Sequence, residues 1–435
     1  MPCREIIYKN DQDWLAIETW LQGRANPNNK AENLVKDIID QVAKHGDQAL
    51  LDYTRKFDCP EFQAGQLKVP EKEIEEALQK ISSEDLEIIL EAAANIRDFH
   101  QRQVRQSWFQ TNADGTLLGQ IVRPVDRAGL YVPGGQGGDT PLISSFLMNA
   151  VPAQVAGVKR IILTSPPRPD ASLCPHLLAT AGLLNLTEIY RAGSAWAVAA
   201  MALGTKTIPA VDVIAGPGNI YVTLAKRLLV GKVGIDMIAG PSEIAILADD
   251  SANPDWLAAD MLSQAEHDTL ASAILITPSK ALAGAAYASL RARLADLPRS
   301  QTASISLKDW GAVILIPDLE SGIELVNKLA PEHLELALAE PWPILARIRN
   351  AGAIFLGQHS PEPLGDYFIG PNHVLPTMGT ARFSSALSVN TFCKEISLIA
   401  ATPPYASSHG HKIARLARLE ALEAHAKSIE ARIMK

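Results

Sequence analysis

The 435-residue sequence predicts an α/β fold: two Rossmann-like parallel-sheet units, with a helical N-terminal segment and a helical C-terminal tail. Three observations predict it. From Arg123 onward, short β-branched runs alternate with helical patterns; the chain before about residue 120 has helical apolar spacing; and after about residue 380 the strand-like runs stop. Apolar runs of roughly four to eight residues separated by helices are the mark of parallel sheets, because each crossover must carry the chain back across the sheet.

The elements follow in order. AENLVKDIIDQVAKHG reads as an amphipathic helix ended by Gly46, and EIEEALQKI and SEDLEIILEAAANIRDFHQRQ read as two more. RPVDRAGLYVPGGQGGDTP is rich in Gly and Pro and opens the sheet region. The expected strands are RIILTS, EIYRAG, VDVIAG, EIAILAD, SAILIT, AVILIP and AIFLG. The tail, KIARLARLEALEAHAKSIEARI, reads as one long helix with Leu419, Leu422, Ala426, Ile429 and Ile433 along one face. These elements suggest an arm over 1–25, a first Rossmann-like domain with the helical part over 26–130 and 241–380, a second over 131–240, and the tail over 381–435. No internal repeat or low-complexity segment is apparent.

Composition narrows the function. The chain has 40 basic and 48 acidic residues, a net charge of -8, and no basic block that would suit a nucleic acid. The opening MPCREIIYKNDQDW is charged throughout, unlike a secretory signal, and no apolar run approaches a membrane span. A soluble, cytoplasmic protein without a membrane partner is expected. Cys3, Cys59, Cys174 and Cys393 lie far apart with no CxxC spacing, so they suggest neither a disulfide framework nor a thiolate metal site.

Several polar groups stand out. Asn253 and Pro254 start a helix on which Gln264 and His267, three apart, share a face; they are a surface pair or two ligands to one ion. In APEHLELAL, Pro331 stops a helix and the alternation after it reads as a strand. Glu332 and His333 there are a solvated strand end or an acid and base pair. Asp366 and His373 sit in LGDYFIGPNHVLPT, where Gly365, Gly370 and Pro371 suggest a loop. On the tail helix, steps of roughly 100° place Glu420 and His425 at the borders of the apolar face. The turns YVPGGQGG, VIAGPGN and DMIAGPSE suit tight connections or phosphate-facing backbone, but no GxGxxG fingerprint occurs.

Taken in order, RPVDRAGLYVPGG, VDVIAGPGNIYVTLAKR, IDMIAGPSEIAILAD, MLSQAEH, APEHLE, GDYFIGPNHVLPT and EALEAH resemble the histidinol dehydrogenase family over almost the whole chain. The resemblance implies a zinc-dependent enzyme that oxidises L-histidinol to L-histidine through L-histidinal with two NAD, in the last two steps of histidine biosynthesis. It also implies an intertwined homodimer in which the C-terminal tail completes the partner's site. Carried onto this chain, Gln264, His267, Asp366 and His425 become zinc ligands that also meet substrate. Ser242, His333 and Glu420 are further substrate contacts, Glu332 and His333 the catalytic pair, and Tyr131 and Asn219 cofactor contacts; His373, from its place in the Asp366 loop alone, is either a substrate contact or a hydrogen-bonded surface group. The zinc and catalytic residues then fall mainly in the domain of 241–380 and the NAD side in 131–240.

This chain departs from the family at GSAWA, where the usual motif is GGAQA. Trp196 replaces an amide that it cannot imitate as an acceptor, although an indole can stack on a nicotinamide or adenine ring. NTFCKE around Phe392 also differs from the usual run, which bears on how the tail docks. The alternatives are a divergent member oxidising another small alcohol, and a non-catalytic metal-binding or small-molecule-binding relative. The second would be expected to lose the Glu332 and His333 pair, which is retained. No HExxH motif supports a zinc hydrolase.

Overall fold

A computed structural model describes residues 2–25, 29–135 and 142–433. The chain begins with β1 (Arg4–Ile7) and α1 (Asp11–Gln22), followed by α2 (Asn29–His45), α3 (Asp47–Phe57), α4 (Glu71–Lys80) and α5 (Ser83–Gln101). Two strands follow, β2 (Trp108–Thr111) and β3 (Leu117–Pro124). A first parallel unit comprises β4 (Arg127–Tyr131), α6 (Ile143–Val155), β5 (Arg160–Ser165), α7 (Pro175–Leu183), β6 (Ile189–Arg191), α8 (Ser194–Leu203), β7 (Val213–Ala215), α9 (Ile220–Leu229) and β8 (Gly234–Ile235). A second comprises β9 (Glu243–Ala248), α10 (Pro254–Ala265), β10 (Ser272–Thr277), α11 (Lys280–Leu294), α12 (Ser300–Trp310), β11 (Ala312–Leu315), α13 (Leu319–Leu329), β12 (His333–Ala337), α14 (Trp342–Leu345), β13 (Ala353–Leu356) and α15 (Glu362–Tyr367). The chain ends with β14 (Cys393–Ala400), α16 (Pro403–Leu419) and α17 (Glu423–Glu430).

The two parallel sheets are wound alike. One has the order β6-β5-β4-β7-β8, and the other β11-β10-β9-β12-β13 with β1 added beyond β11. In each, the first strand is central and the chain winds to one side before crossing to the other, the winding of a Rossmann half. The expected α/β architecture is thus present, and each expected strand run contributes a strand to one of these sheets.

Three parts differ from the sequence reading. The stretch read as an N-terminal arm supplies an edge strand, β1, paired in parallel with β11, and α1 buries Ile17 against the same core. The helices α2–α5, grouped from sequence with residues 241–380, pack instead on the five-stranded unit. Val35, Ile38, Val42 and Leu50 join the core that contains Ile162 and Ile214, while Ile74, Ala77, Ile89 and Ile96 join the core around Leu130 and Leu163. An amphipathic helix shows that it has a buried face but not which sheet receives it.

Strands also continue beyond residue 380. β14 pairs antiparallel with β3, Cys393 opposite Pro124 and Ala400 opposite Leu117, and β2 completes a three-stranded sheet. Phe392, in the segment that departs from the family run, is fully buried just before β14. The expected single tail helix is a hairpin: Ala421, with φ of 59°, breaks it between α16 and α17. Ala414 and Ala426 are buried in the hairpin, and the Arg418 guanidinium donates to Glu423 and Glu430 across it. No helix among the described residues is long and apolar enough to cross a membrane.

Candidate active site

The chemistry gathers where β9 and β12 begin. Pro331 lies between α13 and β12, and its neighbours Glu332 and His333 are carried inward; His333 is only 3% exposed, so the pair is not a solvated strand end. The Glu332 carboxylate accepts from the Glu243 N–H at 2.8 Å, and His333 Nδ1 donates to the Glu243 carbonyl at 3.1 Å. Around the imidazole stand Glu332 Oε2 at 3.8 Å and Glu362 Oε1 at 3.9 Å from Nδ1, and Asp366 Oδ1 at 3.6 Å from Nε2. Burial pushes the Glu332 carboxyl up to about 8. Burial alone would depress His333, but Glu332, Glu362 and Asp366 outweigh it and push the imidazole up to about 10.

The ligand-type groups come from two helix ends. The Asn253 side chain caps α10 by accepting from the Asp255 N–H, and the helix delivers Gln264 in its last turn, with His267 just past its end. Gln264 is fully buried, and its Nε2 lies 3.4 Å from His267 Nδ1. Asp366 lies on α15 rather than in a loop. That helix is opened by Pro361 and Pro363, and the four-residue spacing of Glu362 and Asp366 puts both on one face. Ligand atoms of His267, Glu362 and Asp366 lie within 4.8 Å of one another.

Gln264 Oε1, His333 Nε2, Glu362 Oε1 and Asp366 Oδ1 are all buried without a hydrogen-bond partner among the described residues. Each unmatched buried polar atom costs about 1–3 kcal/mol, so four side by side, with three carboxylates near one imidazole, fit a cation. Mixed imidazole, amide and carboxylate donors suit zinc among other divalent ions.

Glu362 was not anticipated; the glycines near Asp366 obscured a helix whose Pro361, Glu362 and Pro363 are a readable start. Behind it Glu335 Oε1 accepts from the Glu362 N–H at 2.8 Å, and burial pushes the neighbouring Asp260 up to about 6. Arg24 was also missed. Its buried guanidinium donates to the Pro241 and Ser242 carbonyls, to Leu270 O and to Glu243 Oε2, bracing the start of β9. Ser242 thereby stands beside the pair.

His373 has no ring nitrogen left for a substrate: Nδ1 meets the Asp366 carbonyl at 2.7 Å and Nε2 meets Ser145 Oγ at 3.0 Å. It fixes the Asp366 segment instead. Glu420 and His425 are exposed on the tail hairpin, and His425 is not among the clustered ligand atoms of its own chain. The hairpin and the sheet that leads into it expose apolar side chains, with Ile399 74% exposed alongside Trp108, Phe109, Leu416 and Leu419.

A second region lies at the carboxyl ends of β4 and β7, where the strand order reverses, the usual dinucleotide crevice of such sheets. Tyr131 ends β4, but it is buried and its hydroxyl accepts from the Ser194 N–H at 3.1 Å. Gly216 has φ of 126°, and a Cβ there would stand 2.1 Å from the Tyr131 carbonyl oxygen. Its turn is held by the buried Lys226 and Asp236 pair: Lys226 Nζ donates to the Gly216 carbonyl and Asp236 accepts from its N–H. Asn219 caps α9 through Oδ1, which leaves its amide nitrogen as the group it can offer a ligand. The far part of YVPGGQGG lies outside the described residues.

Trp196 is 4% exposed and stacks within the protein on Tyr53 and Phe57, with ring centroids 5.6 Å away in each case. The expected stacking on a cofactor ring is therefore replaced by internal aromatic packing, because α3 covers α8 at this point.

A doubly wound scaffold with a dinucleotide-type crevice and a buried acid and base pair beside a cation-suited cluster defines the class of an oxidoreductase. Residues 21–433 match the profile of the histidinol dehydrogenase family. The histidinol dehydrogenase of Oleidesulfovibrio alaskensis is 61% identical over 433 residues, covering 100% of each chain. That of Nitratidesulfovibrio vulgaris is 59% identical over 432 residues, covering 99% of each. The crystal structure of the Elizabethkingia anophelis enzyme superposes with a TM-score of 0.92 at 36% identity, covering 99% of this chain and 98% of that one. The chain belongs to the histidinol dehydrogenase family, and it is an oxidoreductase.

Proposed function

We propose that the chain is a cytoplasmic, zinc-dependent histidinol dehydrogenase that oxidises L-histidinol to L-histidine through L-histidinal with two NAD, closing histidine biosynthesis as an intertwined homodimer. The observation that carries this reading is the group of four partnerless buried atoms, Gln264 Oε1, His333 Nε2, Glu362 Oε1 and Asp366 Oδ1, in a chain of this family.

Gln264, His267 and Asp366 would hold the zinc, with His425 of the partner subunit as the fourth ligand; the exposed position of His425 and the uncovered apolar tail favour donation across an interface. A zinc ion held there would supply a Lewis acid against which the substrate could be oriented for hydride transfer. Ser242, and Glu420 of the partner subunit, would complete the substrate pocket. Tyr131 and Asn219 border the crevice for NAD, which accepts hydride in each oxidation. Trp196 would act there through the packing of α8 rather than by stacking on the cofactor.

His333 has its Nδ1 proton committed to Glu243, so Nε2 takes the alcohol proton. To act as this base His333 must be neutral, and Asp366, which favours the imidazolium, would do so less when its carboxylate is shared with a bound cation. Glu332 in its carboxylate form would take a proton from water as the aldehyde is hydrated before the second oxidation, its raised pKa suiting a base that works at slightly alkaline pH.

The test is to incubate zinc-loaded protein with L-histidinol and NAD, following NADH and histidine. Formation of both in a ratio of about two to one is expected from the stoichiometry of two hydride transfers. No NADH at saturating histidinol would refute the substrate assignment, and NADH without histidine would refute the second step.

A further inference from the structure

We propose that Asp58 recognises the adenosine ribose diol of the dinucleotide and so selects NAD over its 2′-phosphorylated form. The inference rests on the reading that this chain uses a nicotinamide dinucleotide. In doubly wound sheets an acidic side chain near the end of the second strand accepts hydrogen bonds from the ribose hydroxyls. Here the second strand is β5, which ends at Ser165. The one acid in the loop after it, Asp170, is already engaged: its Oδ1 accepts from the Ser172 N–H at 2.9 Å and from the Ser172 hydroxyl at 2.6 Å.

Asp58, just past the end of α3, reaches the same place from a distant part of the chain. Its Oδ2 lies 3.3 Å from where a Cβ on Gly193 would stand, and that Cβ would also stand 2.7 Å from Pro166, the residue after β5. The neighbouring Cys59 thiol donates to the Pro169 carbonyl at 3.1 Å, tying this segment to the loop after β5. Gly193 precedes Ser194, whose N–H is held by Tyr131 at the end of β4. Asp58 therefore stands at the carboxyl ends of β5 and β6, on the side of the crevice reserved for adenosine in this winding.

The residue is half-buried: Oδ2 is turned inward, shielded from solvent and without a hydrogen-bond donor among the described residues, so the carboxyl meets the crevice through its other oxygen. Other acids of α3 have partners: Asp47 accepts from the Thr207 hydroxyl and Asp52 from the Gln48 amide. Burial without a donor pushes Asp58 up to about 7, a sign of a group lacking stabilisation. A vicinal diol brings two O–H donors to it. A 2′-phosphate would bring close to two further negative charges against it.

The test compares ADP-ribose with its 2′-phosphate by calorimetric titration into the full-length, zinc-loaded protein. The same is done with Asp58→Asn and Asp58→Ser, with kcat/KM for NAD and NADP measured on histidinol in parallel. The parent is expected to prefer ADP-ribose, and both variants to narrow that preference by about ten-fold or more, in binding and in turnover. An unchanged preference, or an equal loss for both ligands, overturns the proposal, since a purely structural role would weaken both alike. A parent that binds neither ligand also overturns it. Selective ADP-ribose binding that depends on Asp58, without histidinol oxidation, would refute the substrate reading and uphold this one.

Discussion

The His333 imidazole and the Glu243 backbone are locked together, Nδ1 lying 3.1 Å from the carbonyl oxygen. A carbonyl only accepts, so Nδ1 carries a proton, and Nε2 is the ring nitrogen that faces Asp366. Replacing His333 with Asn is expected to lower kcat by about 100-fold or more while KM for histidinol moves only a few-fold. Steady-state kinetics on the zinc-loaded variant decides this; a rate near that of the parent would remove His333 as the base.

The same residue, Glu243, is held from its other side by Arg24. Leaving the partly buried Glu243 without its guanidinium is expected to cost about 1–3 kcal/mol. Arg24→Ala should therefore lower the urea midpoint and, through the displaced start of β9, kcat as well. Arg24→Lys keeps the charge but not the fork and should recover only part of both losses. An unshifted midpoint in Arg24→Ala would contradict the bracing role.

If His425 serves the partner's site, two inactive variants should rescue each other. Subunits carrying His425→Ala and Asp366→Ala, unfolded together and refolded, would form mixed dimers with one site bearing both defects and one bearing neither. Activity should return on mixing and stay absent in each variant alone. Silence after proven exchange would place His425 and Asp366 in sites of the same chain.

The stability of the chain should respond to pH through Asp58. Its folded-state pKa, about 7, lies above the ordinary aspartate value of about 3.9, so the folded state favours the protonated form. The stability this group contributes is present below the unfolded value and is lost as pH rises from about 4 through about 7. Asp58→Asn escapes that loss. The melting temperature of the variant relative to the parent should rise from pH 4 to pH 8; a constant difference would mean that the carboxyl is not desolvated.

Much of this was legible in the residues. The seven apolar runs marked strands because β-branched residues between Gly and Pro turns suit little else, and Asn253 with Pro254 marked the start of α10. The site was legible as an ordered set of motifs, but its assembly was not. That Glu332 and His333 stand beside Ser242 depends on the parallel pairing of β12 with β9, a contact between residues far apart in sequence. Glu362 stayed hidden because Gly365 suggested a loop, and the break at Ala421 stayed hidden because alanine normally favours helix. β14 escaped because Lys394, Glu395 and Ser397 dilute its apolar pattern, and its partner β3 lies early in the chain.

The two parallel sheets present opposite ends to the chemistry: carboxyl ends in the unit of β4–β8, amino ends in the unit of β9–β13. Only Asp236–Ser242 joins the last strand of one to the first strand of the other. This short link acts as a ruler. It is anchored at one end by Lys226 with Asp236 and at the other by Arg24, so its length sets the span between the crevice at the ends of β4 and β7 and the Glu332 and His333 pair. Lengthening the link by a few residues would leave each sheet folded and each half-site chemically complete, yet it would take the two halves of one reaction out of register.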